Sequence, residues 1–483
     1  MTIPLATLAL AGLLGIPASG AVLLAAIPNY RASAALNVAL CALTLVCAGL
    51  LYSNRPQPSL YLLVDDVNTV FLIIGALVGF TTSVFSAGYI GHELEARKLK
   101  PGDLRFYHAM YQLLMFAMDL ALVSNNIGLM WVAIEVATLT TVVMVGIYRT
   151  SAALEAAWKY FILGSVGIAL ALFGTILVYL AAQERLGQGM VAMEWDRLAT
   201  SSAGFDPALL NLAFIFLLLG YGTKVGLVPV HAWLPDAHAE GPTPISAVLS
   251  GLLLNVALFA LLRFKLIMAG NAAVIAPGPL MVTMGLLSLI FAGLMLYRRR
   301  DIKRMFAYSS IEHMGIITFA FGLGGPLANF AGLLHMAMHS LTKSGIFFGV
   351  GYISQLEGTQ NIADIRGLTH SQPLLGWLLV AGVVAIAGLP PFGVFTSEFL
   401  LVTSTFERSP TLAIVLVVGL LIALSAIFLR LQSLAFGETG KRHELAGYRL
   451  APMALHLALV AIAGLYLPGA VIAWFRHVAA LLG

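Results

Sequence analysis

Charged side chains are scarce in this sequence of 483 residues. Asp, Glu, Lys and Arg make up 10% of it, and 60% of the residues are hydrophobic. A soluble domain carries about 25% charged residues, so the composition excludes an ordinary water-soluble enzyme and indicates a protein embedded in a lipid bilayer. The net charge of +4 comes from thinly spread Lys and Arg, and we therefore expect no nucleic-acid partner.

Cysteine is also nearly absent, and Cys41 and Cys47 are the two examples. They form no CxxC pair and no zinc-finger spacing, and an iron–sulfur cluster needs about four thiolates. The sequence contains neither a GxGxxG segment after a strand nor a P-loop. We therefore expect no redox cofactor, no nucleotide and no metal in this chain.

Long runs of apolar residues make up most of the sequence. A membrane-spanning helix needs about 20 apolar residues, and the polar breaks divide the chain into about fourteen such runs, which predicts an all-α polytopic membrane protein. The predicted spans are 4–27, 32–52, 63–89, 107–123, 126–148, 156–182, 208–224, 242–264, 275–297, 302–322, 326–355, 373–404, 411–436 and 449–475.

The distribution of positive charge predicts the orientation. The first charge is Arg31, behind the first span, so the apolar N-terminal segment lacks the basic start of a signal peptide. Lys and Arg are concentrated in the loops after odd-numbered spans, as in residues 298–300 and at Lys441 and Arg442. The positive-inside rule then places both termini outside.

Proline interrupts two of the spans. Span 7 runs into a segment with Pro229 and Pro235, and span 12 contains Pro390 and Pro391. Interrupted helices at corresponding places in two halves predict an inverted repeat of five helices, with a site near the membrane midplane; the alternative is two unrelated kinks. The predicted division is 1–106 (spans 1–3), 107–264 (first repeat), 275–436 (second repeat) and 437–483 (span 14).

Three ionisable residues stand inside or beside these spans. Glu135 is in the middle of span 5, Lys224 directly precedes the break of span 7, and Glu398 follows the break of span 12. Intramembrane charges are costly and usually mark ion pathways. We predict a proton relay; the alternative is a static ion pair that holds two helices together.

Span 11 carries His335, His339 and Lys343 at intervals of four residues, so all three lie on one helix face. Because histidine titrates near neutral pH, this face also fits a proton relay. The alternatives are packed histidines or a metal site, but a metal needs a third ligand and the next position on the face is a cation.

Five further residues are weaker candidates for the relay or its two ends. Asp119 is either a group on the exit side or a solvated helix end. Glu312 and His313 either pass protons inward or pair with each other. His231 and His238 either carry protons or shape the turn after span 7.

Four segments resemble one known family. They are TKVGLVPVHAWLPDAHAEGPTPISAVLSG, DIKRMFAYSSIEHMGI, FAGLLHMAMHSLTKSGIFF and AGLPPFGVFTSEF. They are similar to motifs of the antiporter-like proton-translocating subunits of respiratory complex I, Mrp antiporters and group 4 NiFe hydrogenases. The resemblance covers roughly residues 60–440, and YSSIEHMG with AALEAAWKYFILGSVGIALAL looks most like the hydrogenase-4 component F branch.

The resemblance implies fourteen helices with two inverted five-helix repeats. It implies that Glu135 and Lys224 are the family's glutamate–lysine pair and that His335 and His339 are its central histidines. Glu398 then matches the ionisable residue at the end of the relay.

One position departs from the family pattern. Complex I members commonly carry a lysine or histidine in the middle of span 8, where this chain has Asn255. Asparagine can hold water but cannot carry a proton as a charged group. The departure leaves a gap between Lys224 and His335, and it favours the hydrogenase-type branch.

The resemblance leads to a functional expectation. We expect a proton-translocating subunit of a hydrogenase-4 or formate-hydrogenlyase-type complex in the bacterial inner membrane. NiFe and iron–sulfur centres are then expected in soluble partner subunits, next to other membrane subunits, and this chain holds no catalytic residue of its own. The alternatives are a complex I subunit, an Mrp-type sodium/proton antiporter subunit, or a membrane anchor that has lost transport.

Overall fold

The computed structural model describes residues 4–437 and 446–483, and within them the regular structure is helical, without strands. Lys441 and Arg442, used above for the orientation, lie outside the described residues. The helices are α1 (Leu5–Ala26), α2 (Tyr30–Ser53), α3 (Asp66–Glu95), α4 (Pro101–Val123), α5 (Ile127–Val145), α6 (Ser151–Leu186), α7 (Trp195–Ser201), α8 (Pro207–Val225), α9 (Leu234–Glu240), α10 (Thr243–Val248), α11 (Leu254–Ala269), α12 (Pro277–Leu296), α13 (Ile302–Leu323), α14 (Gly325–Glu357), α15 (Leu368–Ser371), α16 (Pro373–Ile386), α17 (Gly393–Arg408), α18 (Pro410–Ala435), α19 (Ala451–Leu465) and α20 (Gly469–Leu481).

Eleven helical segments of the described chain are long and apolar enough to cross a membrane. Predicted spans 10 and 11 correspond to α13 and α14, which have the length of a span but carry buried charged and histidine side chains. Predicted span 12 corresponds to two shorter helices, α16 and α17. The segments that differ from a simple apolar span therefore include α13, α14 and α17, which carry part of the candidate site.

Both predicted helix breaks are present. Helix α8 ends at Val225 because Gly226 adopts a left-handed conformation (φ 83°) that stops the helix. Helices α16 and α17 are separated by residues 387–392, where Gly388 also has a positive φ of 66°. Irregular backbone at membrane depth needs protein or water around it. At both breaks, the interrupted helix lies close to an ionisable side chain.

Two features of the spans differ from the prediction. Span 8 is not a uniform helix, since a π-helical turn, Leu249–Leu253, joins α10 to α11. The prediction of one continuous last span is wrong, because α19 ends at Leu465 and α20 begins at Gly469. Pro468 lies directly before α20; proline lacks the donor that a continuous helix would need there and suits a helix start.

The chain divides into two compact units. The first contains Met1–Gly226 and Leu252–Pro277, and within it α6 packs along α8. The second contains Leu227–Gly251 and Gly278–Gly483, and in it α14 is the central helix, surrounded by α10, α13, α16, α17, α19 and α20. The four-part division drawn from the sequence stays a prediction.

Candidate functional site: two buried ionisable clusters

In the first unit, a buried Lys224 forms an ion pair with the partly buried Glu135. The Lys224 side chain is 1% exposed, and its Nζ lies 3.7 Å from Glu135 Oε2. The same Nζ donates a hydrogen bond of 2.7 Å to the Oγ1 of Thr138. Since Thr138 is three residues beyond Glu135 on α5, one helix face supplies both partners of the lysine. Thr138 gave no signal in the sequence, because threonine is ordinary in apolar helices.

Glycines make room for this lysine. A Cβ at Gly164 of α6 would lie 3.1 Å from Lys224 Nζ, and a Cβ at Gly220 of α8 would overlap the α6 backbone at Ala171. Small residues allow membrane helices to approach closely. The close approach of α6 and α8 therefore surrounds the ammonium group with protein and directs it toward α5.

In the second unit, three histidines from two helices stack on one another. His335 and His339 share one face of α14, as predicted, and His313 of α13 packs against both, with ring centroids 5.1 and 5.5 Å away. His313 Nδ1 and His335 Nε2 are 2.9 Å apart. The alternative that His313 pairs with Glu312 is only weakly supported, since Glu312 Oε1 lies 3.9 Å from His313 Nε2.

The hydrogen bonds of Ser397 favour one tautomer of His335 and, through it, of His313. The hydroxyl of Ser397 donates to the Val394 carbonyl at 2.7 Å, so its oxygen accepts from His335 Nδ1 at 2.9 Å. A neutral His335 then carries its hydrogen on Nδ1 and accepts at Nε2. It follows that His313 donates from Nδ1 to His335 Nε2.

Lys343 and Glu398 lie at two ends of this cluster. Lys343 is fully buried, one turn beyond His339, and donates to the Phe306 carbonyl at 3.0 Å. Glu398 and Glu312 line one cavity of about 190 Å³ together with Ser309 and Gly388. Gly388 is required for this arrangement, because a Cβ there would overlap the Glu398 carboxylate.

The remaining sequence candidates are also buried. Asp119 is 2% exposed, so the alternative of a solvated helix end is wrong. His231 packs edge-on against Phe291 at 4.9 Å, and His238 is stacked on Phe347 at 5.0 Å. Asn255 is 5% exposed and lies two residues after the π-helical turn.

One structural residue was missed. Lys303 is 1% exposed, and its Nζ donates to the carbonyls of Ala239 and Gly241 at the C-terminal end of α9. Its neighbour Arg304 lies 3.3 Å from both Asp236 and Glu240. Two adjacent cations of α13 therefore hold α9, which carries the predicted turn residue His238.

The chain is similar to known proteins in sequence and in structure. The family described as NADH:quinone oxidoreductase/Mrp antiporter, TM, matches residues 124–425. The hydrogenase-4 component F homolog of Methylacidiphilum infernorum is 59% identical over 467 residues, which cover 96% of this chain and 98% of that protein.

Two solved structures have the same fold. A chain of the membrane-bound sulfane sulfur reductase, an archaeal respiratory membrane complex, superposes with a TM-score of 0.86 at 23% identity, over 98% of this chain and 96% of that one. A chain of the Mrp complex from Dietzia sp. gives a TM-score of 0.84 at 19% identity, over 98% and 97%.

Proposed function

The chain belongs to the NADH:quinone oxidoreductase/Mrp antiporter family of membrane subunits, and from this we propose that it translocates protons as part of a redox-driven complex. The observation that carries the proposal is the Lys224–Glu135 pair, in which a 1% exposed ammonium lies 3.7 Å from a carboxylate within membrane-spanning helices. A charge at the bilayer centre costs about 2.5–3.5 kcal/mol on insertion scales. Apolar residues at these two positions would avoid this cost. We therefore infer that the two charged side chains are kept for a function that apolar residues cannot perform.

The second unit supplies groups that accept and pass protons. In its stacked histidines each ring nitrogen can both receive and release a proton, and Glu398 offers an acceptor beside a cavity. We propose that His335, His339, Lys343 and Glu398 carry protons, with His313 joining His335 to His339. Asp119, Glu312, His231 and His238 are further candidates for uptake and release.

The proposed assembly is a hydrogenase-4-type complex. The likeness at 59% identity to a hydrogenase-4 component F homolog over nearly the whole chain supports it. In this assembly soluble partners hold the NiFe and iron–sulfur centres, other membrane subunits flank this chain, and the bacterial inner membrane contains it with both termini outside.

The test measures proton uptake by vesicles that contain the whole complex. Glu135→Gln and Lys224→Ala should each lower redox-coupled uptake by about 10²-fold or more, in line with the loss of a proton-transfer group. The matched control is Glu155→Gln with Lys159→Ala, an exposed pair on α6 with the same chemistry at 2.7 Å, which should leave uptake unchanged.

Asn255 favours one competing function, a membrane anchor without transport. If redox-coupled uptake persists unchanged in both Glu135→Gln and Lys224→Ala, the anchor is correct and the relay is wrong. Replacing sodium by choline tests the Mrp-type alternative in the same vesicles, since the proton relay predicts the same uptake in both salts.

A further inference from the structure

We propose that His313, His335 and Glu398 form a zinc-binding site, and that bound Zn²⁺ blocks proton transfer through the second unit. One ligand atom from each of these residues lies within 4.8 Å of the others. The blocking effect rests on the proposed function, whereas the binding of zinc does not.

The donor set fits zinc. Two imidazole nitrogens and one carboxylate oxygen are a known combination for Zn²⁺ sites that keep one position open. Tetrahedral zinc at about 2.0–2.1 Å from each ligand places ligand atoms about 3.3 Å apart. His313 Nδ1 and His335 Nε2 are already 2.9 Å apart, so these two need to separate slightly and the carboxylate needs to move inward. Nitrogen donors of this kind favour zinc over magnesium or calcium.

His335 has a partner for its second nitrogen, and His313 has a carboxylate near its own. The Ser397 hydroxyl oxygen accepts from His335 Nδ1 at 2.9 Å, which leaves Nε2 free to bind a metal. His313 must move its hydrogen from Nδ1 to Nε2, and Glu312 Oε1, now 3.9 Å from Nε2, has to come closer to accept it. Metal-bound histidines usually donate their other N–H to a carboxylate or another oxygen in this way.

The charges and the space also match a divalent cation. Glu398 and Glu312 bring two carboxyl groups to one cavity of about 190 Å³. Lys343 interacts with Glu312 and offsets its negative charge, so Glu398 supplies the carboxylate for the metal. Such a cavity has room for several water molecules beside the Glu398 carboxylate, each needing roughly 10–15 Å³ by a comparable measure. A zinc ion bound here would occupy the two nitrogens through which His313 and His335 exchange protons.

The test is zinc binding by the intact purified complex, without turnover. After chelation and dialysis against zinc chloride, mass spectrometry should find one more equivalent of zinc in the wild type than in His335→Gln, His313→Gln or Glu398→Gln. Ser397→Ala should weaken binding by about 10–100-fold, as is typical when a partner of a zinc-bound histidine is lost. Cobalt in place of zinc should give the strong visible absorption of a tetrahedral centre in the wild type.

His339→Gln is the matched control, because His339 is a neighbouring buried histidine of α14 outside the three ligands. It should keep the zinc equivalent while losing proton uptake, which separates the metal site from the relay. The proposal is overturned if the wild type binds no more zinc than His335→Gln. It is also overturned if His339→Gln loses as much zinc as His335→Gln, or if the cobalt complex shows no tetrahedral absorption.

Discussion

The ionisable side chains of the two clusters could be found from the sequence because each interrupts an apolar run. Glu135, Lys224 and His335 are conspicuous in segments with almost no other charge. The contacts of His335 could not be predicted in this way, although His313 was itself a candidate. His313 is 22 residues from His335 along the chain, and Ser397 is 62 residues away. Helix packing brings these residues together, and a hydroxyl in an apolar helix is too common to signal a site.

Gly388 tests whether the position of Glu398 matters. We expect Gly388→Ala to displace the Glu398 carboxylate, because the added Cβ would overlap it, and to lower proton uptake. Gly358→Ala is the matched control, since Gly358 has nearly the same φ (68° against 66°) but no neighbour within 4 Å of the added Cβ. In both variants the new alanine has to adopt a left-handed backbone conformation, which costs about 1–2 kcal/mol.

The measurements are the thermal unfolding temperature and proton uptake of each variant complex. The strain should lower the unfolding temperature in both variants, whereas only Gly388→Ala should lose uptake. Equal uptake in the two would mean that the carboxylate does not need its present position.

At the scale of helices, proline was a good guide to breaks at functional positions and a poor guide elsewhere. The Pro229 and Pro390 segments predicted both interrupted helices, because each lay between strongly apolar runs. The gap before α20 was overlooked, since Pro468 stands inside a run that remains apolar on both sides. The π-helical turn before Asn255 has no sequence signal of this kind, because it inserts a residue into the helix without any proline.

Lys303 is expected to stabilise the short helix α9. Lys303→Met should destabilise the fold by about 1.5–3 kcal/mol, the usual value of a hydrogen bond to a charged group, because the carbonyls of Ala239 and Gly241 lose their donor. Arg298→Met removes an exposed cation nearby on the chain and should have little effect.

Denaturant unfolding of the two variants in detergent measures this difference. Equal stabilities would show that the ammonium group adds nothing to α9, and that Arg304, with Asp236 and Glu240, holds this helix without it.

At the scale of the whole molecule, composition and the length of the apolar runs predicted an all-helical membrane protein, and the family assignment agrees with the motif resemblance. The chain's orientation depends instead on a few loop cations and stays a prediction. The loop after α11 is predicted outside, and the loop between α12 and α13, with Arg298, Arg299 and Arg300, is predicted inside.

Alkaline phosphatase fusions at these adjacent loops test the orientation. A fusion after residue 272 should be active, because the enzyme folds only outside the cytoplasm, and a fusion after residue 300 should be inactive. The reverse pattern would invert the orientation and place both termini in the cytoplasm.

The hydroxyl of Ser397 fixes the direction of the hydrogen bonds that run from His313 through His335. With its hydrogen engaged by the Val394 carbonyl, every donor in the line points the same way, from His313 to His335 and from His335 to Ser397. In the proposed relay, a proton that enters at His313 Nε2 and passes from His313 Nδ1 to His335 leaves the His313 hydrogen on the other nitrogen, and the line ends at the Val394 carbonyl, which cannot pass a proton on. We therefore expect the His313 ring to turn over before a second proton follows the same route.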